Sequence, residues 1–147
     1  MNSQELYTLA KKAKIPNFRV LMHDQTDMQK VQKIDNGIIN LDRDNNGGTH
    51  WVCWSNIPKN PYILYFDSFG ISPSDIIAKF LNTSGKPIKY NNSEMQMYKS
   101  IMCGWYCIYI LDKLNKGKDL RDILFTFEQD PEILNEKIIS KYANLLK

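Results

Sequence analysis

Apolar residues recur along the chain at two different spacings, and their order indicates the class of fold. Near the start they follow the helical period, with Leu6, Leu9 and Ala13 on one face before Pro16. The middle of the chain instead carries short β-prone runs that are bounded by turn-forming residues. These runs are predicted to be strands: 17–22, 37–41, 50–55, 62–66 and 87–90.

The second half of the chain returns to the helical spacing. Cys107, Ile110 and Leu114 form one apolar stripe, which predicts a helix that begins at Cys103 and ends near Gly117. Three further helices are predicted: 73–81, 120–127 and 131–146. The sequence therefore predicts a single α+β domain over residues 1–147, in which helices flank a small central sheet, antiparallel or mixed.

Composition narrows the class of protein further. Of the 147 residues, 43% are hydrophobic and 24% are charged, as in ordinary globular proteins. Residues 1–5 lack the basic start and apolar core of a secretory signal, and the longest apolar run, 101–111, is too short to cross a bilayer. Three cysteines, an odd number, favour a reducing compartment over a disulfide framework. We therefore expect an intracellular protein without a membrane partner, and a net charge of +3 does not by itself indicate nucleic-acid binding.

Three residues stand where a cysteine peptidase would need them. His50 begins one predicted strand, Asp67 follows the next strand, and Cys103 begins a helix. Such an enzyme needs a thiolate, an imidazole that holds its proton and a group that orients the imidazole. The positive end of the helix dipole favours a thiolate at Cys103, and Gly104 lets backbone N–H groups approach a substrate carbonyl without a side chain in the way.

Each of these residues also has a plainer interpretation. A cysteine in an apolar helix is usually a small buried hydrophobic residue, and taken alone this is the more frequent role for Cys103. His50 alone could be a partly buried imidazole with a hydrogen-bond partner, and Asp67 could be a turn former before Gly70. The order and the spacing of the three residues are what favour chemistry.

Four sequence blocks resemble those of the adenovirus maturation protease and, more distantly, of the ubiquitin-like-protein proteases. Residues 48–52, Gly-Thr-His-Trp-Val, resemble the His-Trp block, and residues 65–70, Tyr-Phe-Asp-Ser-Phe-Gly, resemble the acidic block, where the adenovirus enzyme has Glu instead of Asp. Gln96 matches the oxyanion glutamine, and residues 103–107, Cys-Gly-Trp-Tyr-Cys, resemble the nucleophile block. Met102, before the nucleophile, departs from the small or acidic residue that relatives often carry.

The resemblance implies a role for each matched residue. Cys103 would attack the scissile carbonyl, His50 would take and return its proton, and Asp67 would orient His50. The side chain of Gln96 and the backbone N–H of Cys103 would donate to the oxyanion. Trp51 would either lie against the His50 ring, where an indole face favours imidazolium, or be a plain core aromatic. No metal ion and no cofactor are implied.

The same resemblance implies a function. The chain would be an endopeptidase that cleaves virion precursor proteins, such as capsid proteins, for a double-stranded DNA virus, a virophage or a Polinton-type element. We expect a monomer that acts in the virion and the host-cell cytoplasm. The adenovirus enzyme's peptide-activator cysteine and DNA-binding surface cannot be placed on this sequence. The alternatives are a protease that removes ubiquitin-like modifiers, a non-catalytic binding module on the same fold, and a structural virion protein.

Other motifs have simpler explanations than a second site. Residues 42–47 match the first half of a calcium-binding EF-hand loop, but Cys53 stands where the bidentate Glu should be. The cysteines lack the paired spacing of a zinc site, so Cys53 and Cys107 are expected in the core. His23 is a second candidate base without a matching block around it, and the basic residues in 113–118 are expected to be a solvated helix end.

Overall fold

The computed structural model describes residues 1–41, 50–92, 102–128 and 132–147. The order of elements there follows the predicted order, with each end within about two residues of its predicted position, and adds a 3₁₀ helix at His23–Met28. The elements are α1 (Ser3–Lys12), β1 (Phe18–Met22), β2 (Asp35–Asn40), β3 (Trp51–Asn56), β4 (Ile63–Phe66), α2 (Asp75–Asn82), β5 (Ile88–Tyr90), α3 (Cys103–Asn115), α4 (Leu120–Glu128) and α5 (Glu132–Leu146).

The strands form one mixed sheet in the order β1-β2-β3-β4-β5. The three central strands are antiparallel, as the short runs and turns predicted. The outer strands pair in parallel, β1 with β2 and β5 with β4. Parallel neighbours need a crossover connection, which the 3₁₀ helix supplies between β1 and β2 and α2 supplies between β4 and β5. The prediction of an α+β fold with helices around a small mixed sheet is confirmed, and a purely antiparallel sheet is wrong for the two edges.

Both faces of the sheet are covered, so every residue of the three central strands is buried, the polar residues of β2 included. Alternate residues along β2 and β3 belong to two separate core clusters: Ile38 and Cys53 pack with α1, α3 and α4, while Ile39, Val52 and Trp54 pack with α2. The larger cluster surrounds α3, and this helix packs against both β3 and α1.

Local signals fix where two of the helices begin. Asn2 caps α1 by accepting a hydrogen bond from the N–H of Glu5, and Ser74 caps α2 by accepting one from the N–H of Ile77. The residue before α3, Met102, has no side-chain oxygen that could cap the first turn in this way. Among the described helices, none is long and apolar enough to span a membrane.

Candidate active site

His50 and Asp67 meet because they flank neighbouring antiparallel strands. His50 directly precedes β3 and Asp67 directly follows β4, and the pairing of Cys53 with Phe66 brings the start of the one strand beside the end of the other. The Nε2 atom of His50 lies 2.7 Å from the Oδ1 atom of Asp67. The Asp67 side chain is 2% exposed and that of His50 is 22% exposed, so the carboxylate is closed off while the imidazole reaches solvent.

Helix α3 brings Cys103 to the same place. The N–H of Trp51 donates to the Sγ atom of Cys103 at 3.4 Å, and the Sγ atom of Cys107, one helical turn further on, donates to the carbonyl of Trp51 at 3.4 Å. The two thiols thus hold the first turn of α3 against the first residue of β3. His50 immediately precedes Trp51, and its imidazole interacts with the Cys103 side chain, an interaction that raises the pKa of His50.

The surroundings of His50 favour its protonated form. Burial alone lowers the pKa of an imidazole, but the hydrogen bond to Asp67, the hydrogen bond to Cys103 and the charges of both raise the pKa of His50 from 6.5 to about 9. At neutral pH the ring therefore carries a proton on each nitrogen. Nε2 faces Asp67, which leaves Nδ1 as the nitrogen for Cys103. An imidazolium in this position is chemically able to stabilise a thiolate and to hold a proton for a leaving group.

The loop after β4 contacts both partners of the hydrogen bond between His50 and Asp67. The N–H of Phe69 donates to Oδ1 of Asp67 at 2.8 Å, the same oxygen that faces His50. The Phe69 ring stacks on the imidazole, with the ring centroids 4.7 Å apart and the planes at 28°. Gly70 closes the turn by donating to the Asp67 carbonyl at 2.8 Å, and its φ of 74° is a conformation that glycine adopts without strain.

A buried asparagine holds Asp67 from the other side. Asn91, directly after β5, accepts a hydrogen bond from the Asp67 N–H at 3.0 Å and donates one to the Asp67 carbonyl at 2.6 Å. Sequence reasoning did not select Asn91 or Phe69 for the site. Phe69 lies inside the acidic block, 65–70, so the resemblance of that block could have indicated Phe69 as a site residue. Nothing in the local sequence indicates Asn91.

The structure thus places Cys103, His50 and Asp67 together. It does not place the other predicted site residues, Gln96 and Trp51, in the same way. Gln96 lies outside the described residues, as do the first residues of the His-Trp block and the calcium-like loop. Trp51 is 3% exposed and belongs to the core cluster around α3. The ring that stacks on His50 is that of Phe69.

Gly104 has a packing reason to be glycine. A Cβ atom at this position would come within 2.8 Å of the Met1 Sδ atom and 3.5 Å of both Leu6 and Trp51. The missing side chain therefore lets the start of α1 close over the start of α3. This contact is distinct from the approach to a substrate carbonyl that the sequence suggested for Gly104.

The other candidate residues have structural contacts of their own. Cys53 and Cys107 are fully buried, and burial together with a hydrogen bond to Cys53 raises the pKa of the Cys107 thiol. His23 contacts the Ser74 hydroxyl at 3.0 Å, beside α2 rather than α3. The Lys113 ammonium lies over the Tyr109 ring near the far end of α3. Among the described residues, no group of three His, Cys, Asp or Glu side chains could hold a metal ion.

Comparison with solved structures shows which class of protein has this fold. No family model matches the chain, and no curated protein matches it in sequence. The chain shares its fold with solved proteases. The chain is similar to the ASFV pS273R protease, with a TM-score of 0.54 and 18% identity over 80% of this chain and 56% of that one. It is also similar to the SUMO protease Ulp1 with its catalytic cysteine oxidized to a sulfinic acid, with a TM-score of 0.50 and 16% identity over 100% of this chain and 79% of that one.

The chain matches only part of the length of the ASFV protease. A second crystal structure of the ASFV protease, with selenomethionine, aligns over 59% of this chain and 36% of that one, with a TM-score of 0.50 and 19% identity. The chain therefore spans about a third to just over half of the ASFV protease. At these identities the likeness shows a shared fold alone.

Proposed function

We propose that this chain is a cysteine endopeptidase in which Cys103 is the nucleophile, His50 its acid and base, and Asp67 the residue that orients His50. One observation carries the proposal. The imidazole of His50 lies between a buried carboxylate and the thiol at the start of α3, and its pKa is raised to about 9. A histidine placed in this way suits nucleophilic catalysis better than a purely structural role.

The proposed reaction begins with attack by the Cys103 thiolate on the carbonyl carbon of a peptide bond, which forms an S–C bond and places the negative charge on the oxygen. The backbone N–H of Cys103 and the side chain of Gln96, assigned by resemblance, donate hydrogen bonds to that oxygen. As the C–N bond breaks, Nδ1 of His50 gives its proton to the leaving amine. A thioester remains on Cys103.

The second half of the reaction releases the acid product. Neutral His50 takes a proton from water as the water oxygen attacks the thioester carbon, and the C–S bond then breaks. The thiolate and imidazolium are restored. Asp67 accepts a hydrogen bond from Nε2 throughout, which keeps Nδ1 directed at Cys103 in both halves of the cycle.

Virion precursor proteins, such as capsid proteins, are the substrate class that we propose, with the virion and the host-cell cytoplasm as the place of action. The His-Trp, acidic and nucleophile blocks support it, together with the likeness in fold to a viral protease. The second candidate is removal of a ubiquitin-like modifier. The likeness to the SUMO protease Ulp1 favours it, since that alignment covers the whole of this chain.

One experiment separates these candidates. The purified chain is offered a peptide from a capsid precursor and, separately, a ubiquitin-like protein fused to a reporter. Cleavage of the peptide supports the virion assignment, whereas efficient cleavage of the fusion alone would sink it. Cys103→Ala should abolish either activity, while Cys53→Ala, which removes a fully buried thiol on β3, should retain it.

Binding without turnover must also be measured. If the wild-type chain and Cys103→Ala bind the same substrates equally and neither cleaves them, the chain is a binding module on a protease fold. Absence of peptidase activity on every virion component tested would instead favour a structural virion protein.

A further inference from the structure

The side-chain amide of Asn91 forms hydrogen bonds with both the N–H and the carbonyl of the Asp67 backbone. Its Oδ1 atom accepts the Asp67 N–H at 3.0 Å, and its Nδ2 atom donates to the Asp67 carbonyl at 2.6 Å. Asn91 is 4% exposed, so neither bond competes freely with water. Two opposed hydrogen bonds from one planar amide fix both the position and the rotation of the residue they hold.

These contacts extend the sheet beyond its last paired residues. Strands β4 and β5 are parallel, and their pairing reaches Tyr65 and Tyr90. Asp67 lies two residues further along β4's direction, in the turn that leads to Gly70. The amide of Asn91 therefore holds Asp67 much as a neighbouring strand would, at a point where the regular backbone pairing has ended.

We propose that Asn91 is a positioning residue for the active site: by clamping the backbone of Asp67 it sets the direction of the Asp67 carboxylate and, through it, the orientation of the His50 imidazole. The proposal rests on the proposed function, because it assigns Asn91 to the same Cys103–His50–Asp67 site. Asn91 does not touch the reacting atoms. Its effect is transmitted through the 2.7 Å contact between Asp67 and His50.

The geometry explains why a backbone clamp matters here. The Asp67 Oδ1 atom must meet His50 Nε2 and the Phe69 N–H together, at 2.7 Å and 2.8 Å. A rotation of the Asp67 backbone would lengthen one of these contacts. Displacement of a catalytic group by about 1 Å can lower turnover by about 10²-fold. Among the described residues, the titratable groups that act on His50 are Asp67 and Cys103, so a change in its titration reports on these two contacts.

The test compares Asn91→Ala with Asn36→Ala. Asn36 is a matched control because it is also a buried asparagine, its amide donates to the Pro16 carbonyl at 2.8 Å, and it pairs with Ser55 near the end of β3 away from His50. The chain has two histidines, so NMR can follow the titration of His50 with that of His23 as an internal reference. The rate of Cys103 alkylation and, on a cleaved peptide, kcat and KM complete the measurements.

We expect Asn91→Ala to lower the pKa of His50 from about 9 towards 6.5, to slow alkylation of Cys103, and to lower kcat by about 10²-fold with little change in KM. Asn36→Ala should reduce the melting temperature and leave the His50 titration unchanged. If both variants shift His50 equally, or Asn91→Ala does not shift it, Asn91 is a structural residue only.

Two features keep this test decisive. If Asn91→Ala does not fold, Asn91→Gln is used instead, because it retains the amide but moves it by one methylene. The pKa of His50 should then also fall. An unchanged titration of His50 in Asn91→Gln would overturn the proposal. Titration and alkylation need no peptide substrate. If the pKa of His50 shifts in Asn91→Ala but the chain cleaves nothing, the positioning role is supported and the proposed function is contradicted. If cleavage is normal and the pKa of His50 does not shift, the proposed function is supported and the positioning role is contradicted.

Discussion

The Oδ1 atom of Asp67 lies 2.7 Å from the Nε2 atom of His50, and it reaches this position from a turn rather than from a strand. Three neighbours hold that turn. Phe69 donates its N–H to the same oxygen, Gly70 donates to the Asp67 carbonyl, and Asn91 clamps the Asp67 backbone. The carboxylate is therefore fixed before any substrate arrives, which is the condition for orienting an imidazole without loss of entropy during the reaction.

Replacement of Asp67 by asparagine tests whether this fixed charge matters. Asp67→Asn removes the charge and a strong acceptor, so the pKa of His50 should fall from about 9 towards 6.5. We expect kcat/KM to fall by about 10²- to 10⁴-fold, as when an orienting carboxylate is lost from a catalytic triad. Asp112→Asn is the matched control, since Asp112 is a buried acid further along α3 that accepts a hydrogen bond from Tyr142. A similar loss in both variants would contradict a specific role for Asp67.

The three thiols should differ sharply in their reaction with iodoacetamide near neutral pH. Cys103 contacts His50, whose imidazolium stabilises a thiolate. Cys103 is 4% exposed, whereas Cys53 and Cys107 are 0% exposed and burial raises the pKa of the Cys107 thiol. Mass spectrometry should therefore find the label on Cys103 first, and His50→Ala should slow that labelling. If all three thiols react equally slowly, Cys103 is not an activated nucleophile.

The ring of Phe69 should contribute to activity by stacking on the His50 imidazole. Phe69→Ala keeps the backbone N–H that donates to Asp67 but removes the ring that stacks on His50. A stacked aromatic pair contributes about 0.5–1.5 kcal/mol, so kcat/KM should fall by up to about tenfold. Phe69→Tyr should restore it, because the ring is retained. Phe125→Ala, at an exposed position on α4, is the control and should change neither activity nor melting temperature.

Two glycines should respond differently to a methyl group. At Gly37 a Cβ atom would lie 2.1 Å from the Trp54 ring and 2.5 Å from the Arg19 carbonyl, so Gly37→Ala forces the sheet to move and should cost about 1–3 kcal/mol or more. At Gly104 the nearest atom is the end of the flexible Met1 side chain, which can shift. The free energy of unfolding of Gly104→Ala should therefore lie within about 1 kcal/mol of the wild-type value. Urea denaturation measures both values.

Activity in Gly104→Ala then separates the two explanations of this glycine. The structure directs the added methyl group at Met1, Leu6 and Trp51, so turnover should stay close to that of the wild type. A stable variant with a large loss of kcat would show instead that Gly104 keeps the approach to the oxyanion site clear, as the sequence suggested.

The arrangement of His50 and Asp67 could be predicted from sequence because it depends on a short-range rule. Two neighbouring β-prone runs form antiparallel strands, and the start of one then lies beside the end of the other. The start of α3 at Cys103 follows from an equally local signal, the change from period two to the helical period. These signals involve few residues, and tertiary packing did not override them.

The contacts of Asn91 and Phe69 could not be predicted in the same way. Asn91 reaches Asp67 because β5 pairs in parallel with β4, and that pairing depends on the crossover through α2. The helix between the two runs was a usable signal for parallel strands, but no spacing rule gives the contact of one side chain with a distant backbone. The stacking of Phe69 on His50 likewise depends on how the turn at Gly70 closes.

The titration of His50 also predicts how stability depends on pH. Its pKa is about 9 in the folded chain and 6.5 in the unfolded chain, so the folded state binds the proton more tightly. The stabilisation is fully present below pH 6.5 and is lost as the pH rises through 9, with a slope of at most about 1.4 kcal/mol per pH unit from this one group. Urea unfolding of the wild type at several pH values between these limits should show the decline, and His50→Gln should show less of it.

The pH dependence of activity should also reflect the protonation of His50. In the proposed reaction the protonated ring supplies the proton for the leaving amine, so kcat/KM should fall as the pH rises through about 9. In Asp67→Asn this fall should move towards pH 6.5, since the Asp67 charge that raises the pKa of His50 is removed and the hydrogen bond is weakened. A profile whose alkaline limit is the same in the wild type and in Asp67→Asn would show that His50 is not the group that controls it. The acyl transfer would then need a proton donor other than the imidazole between Asp67 and Cys103.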